Sequence, residues 1–400
     1  MPFRERCPVE ERIAMFLDYD TGVYTVEALT KRYGICRETF YVWKRRRESG
    51  EADWFAEFSR APERCPHATP DALVSSIVAM RKKFPRFGPK KILAKLETGD
   101  PQMAWPAAST IGDILKREGL IAPRPSRRRH LPQADLVAGA DAPNKEWSID
   151  FKGWFRTADG TRCDPLTIED SASRYLIETR ITNPDLVGVK RVMSRVFADN
   201  GLPDAIRSDN GTPFGSIGAS GLSRLSVWWL KLGIEPRYIP PASPQHNGRH
   251  ERMHRTLKAE TSKPPAATPK EQQARFDAFR THYNEERPHE ALDQTPPAKH
   301  WQPSRRPFPK RIADPWYDAD HEVRRVRRNG GWIKWRGAVI FIGWALGDEL
   351  IGLSEIDDGR YIVRFCGRDL GVIGRNLRFH PFAPPRARRR SAVETEQRIE

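Results

Sequence analysis

Closely spaced cysteines are missing: the five present, Cys7, Cys36, Cys65, Cys163 and Cys366, stand far apart. That distribution argues against a disulfide framework and against a zinc site of usual ligand spacing. Long apolar runs are missing too. No stretch approaches the roughly 20 apolar residues of a membrane-spanning helix, and the first residues lack the apolar run of a signal peptide. No segment reads as a basic amphipathic anchor, so no membrane partner is expected. These absences describe a soluble, intracellular chain. Acidic residues are the minority: 52 Asp and Glu stand against 68 Lys and Arg, a formal charge of +16. Such an excess of cations calls for a polyanionic partner. The 400 residues are enough for several domains, each with a core.

The N-terminal part reads as helices. Residues 8–19 carry Ile13, Phe16 and Leu17 at helical spacing. Thr25 opens a second helix, Val26 to Tyr33, and Gly34 ends it, as glycine past a helix C-terminus does. A third helix runs from about Arg37 to Glu48, with Cys36 at its N-cap position. Phe40 and Trp43 face inward there; Arg37, Tyr41, Lys44, Arg45 and Arg47 face out. Helix, glycine turn, basic helix is the helix-turn-helix pattern, whose second helix enters the major groove of DNA. An ordinary three-helix bundle with a solvated face is the alternative. This domain spans 1–50, and 51–69 reads as a linker. In 70–121 three further helices are expected: Asp71 to Lys83, Lys90 to Leu96 behind Pro89, and Ile111 to Glu118 capped by Ser109-Thr110. They make either a second helix-turn-helix-like domain or a scaffold. Residues 122–145 form a basic linker whose Arg127, Arg128 and Arg129 are expected to track DNA phosphates.

From Trp147 the pattern turns strand-rich. Strands are expected at 147–155, 166–169, 175–181, 205–208 and 235–239, with helices at 186–200 and 222–232, an α/β layer arrangement. Trp147, Ile149 and Phe151 alternate with Ser148 and Asp150. The strand Ala205–Ser208 runs into Asp209-Asn210-Gly211, a turn signal. Ser243 and Pro244 then start a helix that carries Glu251 among cations. Met253 and Leu257 can pack inward, while Asn247, Glu251, His254 and Lys258 share another face. Each carboxylate alone can be a polar strand residue, a turn former or half of a surface ion pair. Together, Asp150, Asp209 and Glu251 suggest one hard-cation site. Oxygen ligands suit Mg²⁺ or Mn²⁺, and two such ions can clamp the attacking and leaving oxygens of an in-line phosphoryl displacement.

The stretches WSIDF (147–151), IRSDNGTPF (206–214), YIPPASPQHNGRHERMHRTLK (238–258) and HYNEERPHEALDQTPPAKHW (282–301) resemble the catalytic core of DDE transposases and retroviral-type integrases. Bacterial insertion-sequence transposases are the nearest likeness, over roughly 140–301, with the motifs in order. The resemblance implies an RNase H-like mixed-sheet core over 146–302. It places the catalytic, metal-binding triad on Asp150, Asp209 and Glu251, with two Mg²⁺ (or Mn²⁺) ions. It implies hydrolysis that frees the element's 3′ ends, then attack of those ends on target DNA. The partners implied are double-stranded DNA (element ends and target) and further copies of the chain, in the bacterial cytoplasm beside the nucleoid. Asn247, Arg249, His254 and Lys258 are expected to contact DNA. The separation of Asp209 and Glu251, 251 − 209 = 42 positions, is longer than the family's usual gap. The surplus is assigned to the Gly/Ser-rich Phe214–Gly221, and Glu235 and Glu260 stay open as third ligands. The zinc module of retroviral integrases has no counterpart spacing here. Asp170 reads as an Asx-type turn former outside the triad. A helix over 270–284 and the motif ending at Trp301 read as structural.

Residues 303–321 form a proline-rich basic linker. Five short strands follow, at 332–335, 338–341, 350–353, 361–365 and 369–373, with Asp358-Gly359 as a hairpin turn. They suggest a small β-barrel over 322–382, with a basic cluster at its start, and a disordered tail over 383–400. The whole is expected to be a multidomain α/β chain: helix-turn-helix domains, an RNase H-like core, then a small barrel. Two rivals remain: a non-catalytic sequence-specific DNA binder and a plain metal-dependent nuclease.

Overall fold

A computed structural model describes residues 7–50, 52–57, 68–121, 141–216, 218–239, 248–357 and 359–382. The chain divides into two units, Met1–Pro70 and Asp71–Glu400. Arg127, Arg128, Arg129, Asn247, the helix start at Ser243-Pro244, Asp358 and the 383–400 tail lie outside the described residues.

The first unit contains α1 (Pro8–Asp20), α2 (Val26–Tyr33) and α3 (Arg37–Glu48). The Thr25 hydroxyl accepts the Ala28 N–H at 3.3 Å, and Gly34 closes α2 at φ +65°. The Cys36 thiol caps α3 by accepting the Thr39 N–H at 3.4 Å. Met15, Phe16, Leu29 and Phe40 form the core. Leu17, expected inward, is exposed, and Met15 takes its place because it falls on the face that meets Phe40.

The second unit opens with α4 (Asp71–Lys83), α5 (Pro89–Gly99) and α6 (Ala108–Arg117), packed around Ile77, Phe87, Ile92, Ile111 and Leu115. Ser109 and Thr110 do not cap α6. The helix already begins at Ala108, so both lie in its first turn, and Ala107 offers no side-chain acceptor.

Next come β1 (Glu146–Phe151), β2 (Phe155–Arg156), β3 (Arg162–Cys163), β4 (Pro165–Asp170), β5 (Leu176–Ile181), α7 (Leu186–Asn200) and β6 (Ala205–Ser208). Then follow α8 (Arg224–Lys231), β7 (Glu235–Tyr238), α9 (Gly248–Thr261) and α10 (Pro269–Thr281). The main sheet has the order β5-β4-β1-β6-β7. β5, β4 and β1 are antiparallel neighbours; β6 and β7 run parallel to β1. Strand alternation sorts the two faces. Trp147, Ile149, Ile168 and Ile206 meet α7 and α8 through Val189, Phe197, Leu225 and Trp229. On the other face Leu176 meets Met253, Leu257 and Phe276 of α9 and α10. The expected single strand 147–155 stops at Phe151. Gly153, at φ +85°, turns the chain so that Phe155 restarts it in the separate β2–β3 hairpin.

The segment expected as a linker, 303–321, is strapped to the core instead. Arg306 accepts the Leu202 N–H through its backbone and donates to the carbonyls of Pro203, Leu232 and Gly233, while Phe308 packs on Phe197 and Trp228. A free linker would leave those carbonyls without that donor. Among the described residues seven strands follow, not five: β8 (Glu322–Arg325), β9 (Trp332–Trp335), β10 (Ala338–Phe341), β11 (Leu350–Asp357), β12 (Arg360–Phe365), β13 (Arg368–Ile373) and β14 (Phe379–Pro381). They form a five-stranded antiparallel sheet, β14-β13-β12-β11-β8, and a β9–β10 hairpin that share one apolar cluster. Leu222 and Val227, beside and within α8, belong to that cluster, and the Ser220 hydroxyl donates to the Leu370 carbonyl at 3.0 Å.

Candidate active site

β1 and β6 run side by side in parallel, with Ser148 opposite Arg207. Two residues further on, the same register sets Asp150 level with Asp209, just past the end of β6. Both carboxylates therefore project from the C-terminal edge of neighbouring parallel strands. The Asp-Asn-Gly turn holds its shape: the Gly211 N–H donates to Asp209 Oδ1 at 3.1 Å, and Asn210 Nδ2 donates to the Ile239 carbonyl at 2.6 Å. Asp209 is exposed, yet the protein around its carboxyl pushes its pKa up, and the Gly211 N–H offsets part of that.

The helix α9 lies over β1 and β4 on the face that carries Ser148 and Asp150. Met253 and Leu257 anchor it in the core, as their spacing foretells. His250 and His254 go in with them, 1 % and 7 % exposed. Thr167, which pairs with Asp150 across the β1–β4 ladder, organises both rings. Its hydroxyl lies 2.6 Å from His250 Nε2, 2.6 Å from His254 Nε2 and 3.0 Å from the Asp150 carbonyl. One hydroxyl has one proton and two acceptor sites. The assignment that satisfies all three contacts has Thr167 donating to the carbonyl and each imidazole donating Nε2–H to its oxygen. Ser148 Oγ then donates to His250 Nδ1 at 2.7 Å. Burial lowers the His250 pKa to about 3 and holds that of His254 well below its ordinary value, so both rings are neutral. His254 Nδ1 is left facing Asp150 Oδ2 at 4.0 Å. Asp150, His250 and His254 bring ligand atoms within 4.8 Å of one another, a group that Asp209 and Glu251 do not join.

Glu251 is exposed on the first turn of α9. With Lys152, His254, Arg255, Lys258, Ala259 and Lys263 it lines an open cleft of about 500 Å³. The two open alternatives are placed otherwise. Glu235 pairs with Arg237 and sits level with Ala205, four residues or roughly 13 Å back from Asp209. Glu260 is engaged by Arg287 at 2.9 Å. Asp170 is buried, and the Ser173 N–H and hydroxyl donate to its Oδ1 at 2.7 and 2.6 Å, the expected turn.

Of the residues expected at DNA, Lys258 is exposed at the cleft, and Arg249 donates to the Ser171 carbonyl. His254 turns inward instead, because its ring is drawn to Thr167. On α3, Arg37, Tyr41 and Arg45 are exposed. Lys44 donates to the Tyr19 hydroxyl, and Arg47 pairs with both oxygens of Asp20. Sequence reasoning missed Thr167, His250 and Lys152. A polar Thr167-x-Glu169 alternation inside an apolar strand was the available signal.

The chain carries an integrase core. Residues 140–244 and 232–297 match two models, each described as an integrase core domain. It resembles bacterial insertion-sequence transposase-type proteins. It is 25 % identical over 245 residues to an uncharacterized 39.2 kDa protein of insertion element IS476 from Xanthomonas euvesicatoria, covering 60 % of this chain and 67 % of that one. It is 28 % identical over 190 residues to an uncharacterized 31.7 kDa protein of insertion element IS407 from Burkholderia multivorans, covering 46 % and 66 %. The chain thus spans about two thirds of the length of these relatives. The catalytic core domain of BIV integrase is similar at 18 % identity and a TM-score of 0.30, over 39 % of this chain and 92 % of that one. The mixed five-stranded sheet fits an RNase H-like integrase core.

Proposed function

We propose that this chain is a DDE-type transposase that binds the ends of its own mobile element, hydrolyses phosphodiester bonds at the 3′ ends and joins those ends to target DNA. One observation carries the reading: Asp150 and Asp209 stand level at the edge of adjacent parallel strands, beside a cation-lined cleft that also holds Glu251. The presence of all three carboxylates argues against a purely DNA-binding relative.

The donor set fits a hard divalent cation. Asp150, Asp209 and Glu251 supply oxygens, and Asp150 Oδ2 and His254 Nδ1 are 4.0 Å apart. Hard cations take oxygens, so the carboxylates would hold the ion and His254 stands beside Asp150 as a neutral neighbour. His250 does not fit, since Ser148 and Thr167 occupy both its nitrogens. Bound Mg²⁺ or Mn²⁺, as one or two ions, would lower the pKa of a water or hydroxyl and stabilise the leaving 3′ oxygen. The chain's own residues do the rest. The Asp209 turn fixes one carboxylate; α9, held by Met253 and Leu257, fixes another; Lys152, Arg255, Lys258 and Lys263 neutralise phosphates along the cleft.

In this reading α1–α3 recognise the element end as a helix-turn-helix, with Arg37, Tyr41 and Arg45 toward DNA and Lys44 and Arg47 bracing the helix. The helices α4–α6 form a second such domain or a scaffold, the basic linker with Arg127–Arg129 tracks phosphates, and Asn247, Arg249 and Lys258 meet the reacting strand. The C-terminal sheets form a small barrel that holds DNA or another protomer. The chain works as a multimer on double-stranded DNA in the bacterial cytoplasm.

The test is strand transfer with the purified protein, Mg²⁺ or Mn²⁺, and duplexes carrying the element's ends. The parent should join ends; Asp150→Asn, Asp209→Asn and Glu251→Gln should each bind them without joining. Cutting without joining would point to a plain nuclease, and tight binding with no chemistry by the parent to a regulatory DNA binder.

A further inference from the structure

The indole of Trp154 is 57 % exposed, four residues beyond Asp150. The local structure explains how the ring is held out. Gly153, at φ +85°, reverses the chain. Phe155 then turns inward, its ring 6.3 Å from that of Phe276, so alternation sends Trp154 out. The hairpin that displays it is fixed at both ends. Phe155 pairs with Cys163 and Arg156 with Arg162. At the tip the Ala158 and Asp159 N–H groups donate to the carbonyls of Ala266 and Ala267 at 2.9 and 3.1 Å.

Two cations frame the ring. The guanidinium of Arg162 lies 5.2 Å and that of Arg156 lies 5.8 Å from its centroid. Both are held: Arg162 forks onto Asp164 at 2.7 Å, and Arg156 donates to the Gly160 carbonyl at 2.6 Å. Lys152, two residues back, lines the cleft that holds Glu251. Two residues of chain span at most about 7 Å, so the backbone of Trp154 lies within that reach of a cleft-lining residue.

We infer that Trp154, with Arg156 and Arg162, is a stacking platform for an unpaired nucleotide at a DNA end. The inference rests on the reading of the cleft as a DNA-processing site. Its chemistry is that of single-strand binders, in which an aromatic face takes a base of any sequence and flanking cations take the phosphates. A protein surface would also cover an indole. The two guanidiniums and the formal charge of +16 favour a polyanion with flat apolar faces.

The experiment uses the full chain in EDTA, so that no strand is cut, and duplexes with 2-aminopurine either in a short single-stranded overhang or paired within the helix. Stacking on the indole should quench the overhang probe and leave the paired probe unchanged. Trp154→Ala should abolish the quench and weaken affinity for the tailed duplex roughly 5- to 150-fold, the loss of one stacked base. It should leave affinity for the blunt duplex within about twofold. Trp154→Phe should restore most of the quench, which a fold defect would not allow. Arg156→Gln should lower the slope of log affinity against log salt by about 1, and Arg162→Gln by less, because Asp164 already pairs with that guanidinium. An undiminished quench in Trp154→Ala overturns the proposal. The reading of the cleft fails separately. A parent that joins no ends, while Trp154→Ala still loses the quench, sinks the transposase and keeps the platform. Normal joining with no quench does the reverse.

Discussion

Thr167 is the residue on which the site's interior turns. Its one hydroxyl serves the Asp150 carbonyl and two buried imidazoles. Valine has the same shape and none of the polarity. Thr167→Val would leave two buried N–H donors without acceptors, at a cost of about 2–4 kcal/mol. The urea midpoint of the core should fall accordingly, whereas Thr167→Ser should recover most of it. The same residue marks where sequence reading stops. Asp150 is legible from strand alternation and Asp209 from the turn that follows a strand. The link from Thr167 to His250 and His254 requires the β1–β4 register and the seating of α9, and both are long-range facts.

Among the elements, α5 carries an unusual load. Lys91, between Phe87 and Arg287, is pushed down to about 8 by burial first and by the Arg287 charge second. Its partners Glu260 and Glu290 only partly offset this. The unfolded lysine titrates near 10.4. Below about pH 8 both states hold the proton, and the buried charge costs a constant amount. From about 8 to 10.4 the unfolded state binds more protons, so stability rises with pH. Lys91→Met should therefore raise the melting temperature at pH 7, by on the order of 1–3 kcal/mol in stability, and remove the rise above pH 8. Thermal melts across pH 6–10 would show both. An element with strong periodicity, such as α7, was legible as a helix because its apolar residues recur on one face. β8 and β14 were not. They are four and three residues long, and the charged Glu322-Val323-Arg324-Arg325 pairs only because β11 offers an edge. The strap through Arg306 was invisible for a similar reason: backbone carbonyls leave no mark on side-chain pattern.

For the whole molecule, the division at Pro70 separates a small unit with its own aromatic core from everything that carries the carboxylates. A fragment of residues 71–382 should keep any metal-dependent cleavage while losing preference for the element's ends. Comparing end and random duplexes at several salt concentrations would show this: the full chain should have the steeper slope, because it neutralises more phosphates. A fragment that still prefers its ends would move recognition to α4–α6. The loop between Asp209 and Glu251 adds a different kind of constraint. Ser220 and Leu222 tie it to the C-terminal sheet, and Val227 of α8 sits in the same apolar cluster. A gene that lost its last 80 or so codons would bare those side chains and strand the loop. Loop and C-terminal sheet therefore share one packing surface, and a chimaera that exchanges only one of them should lose stability.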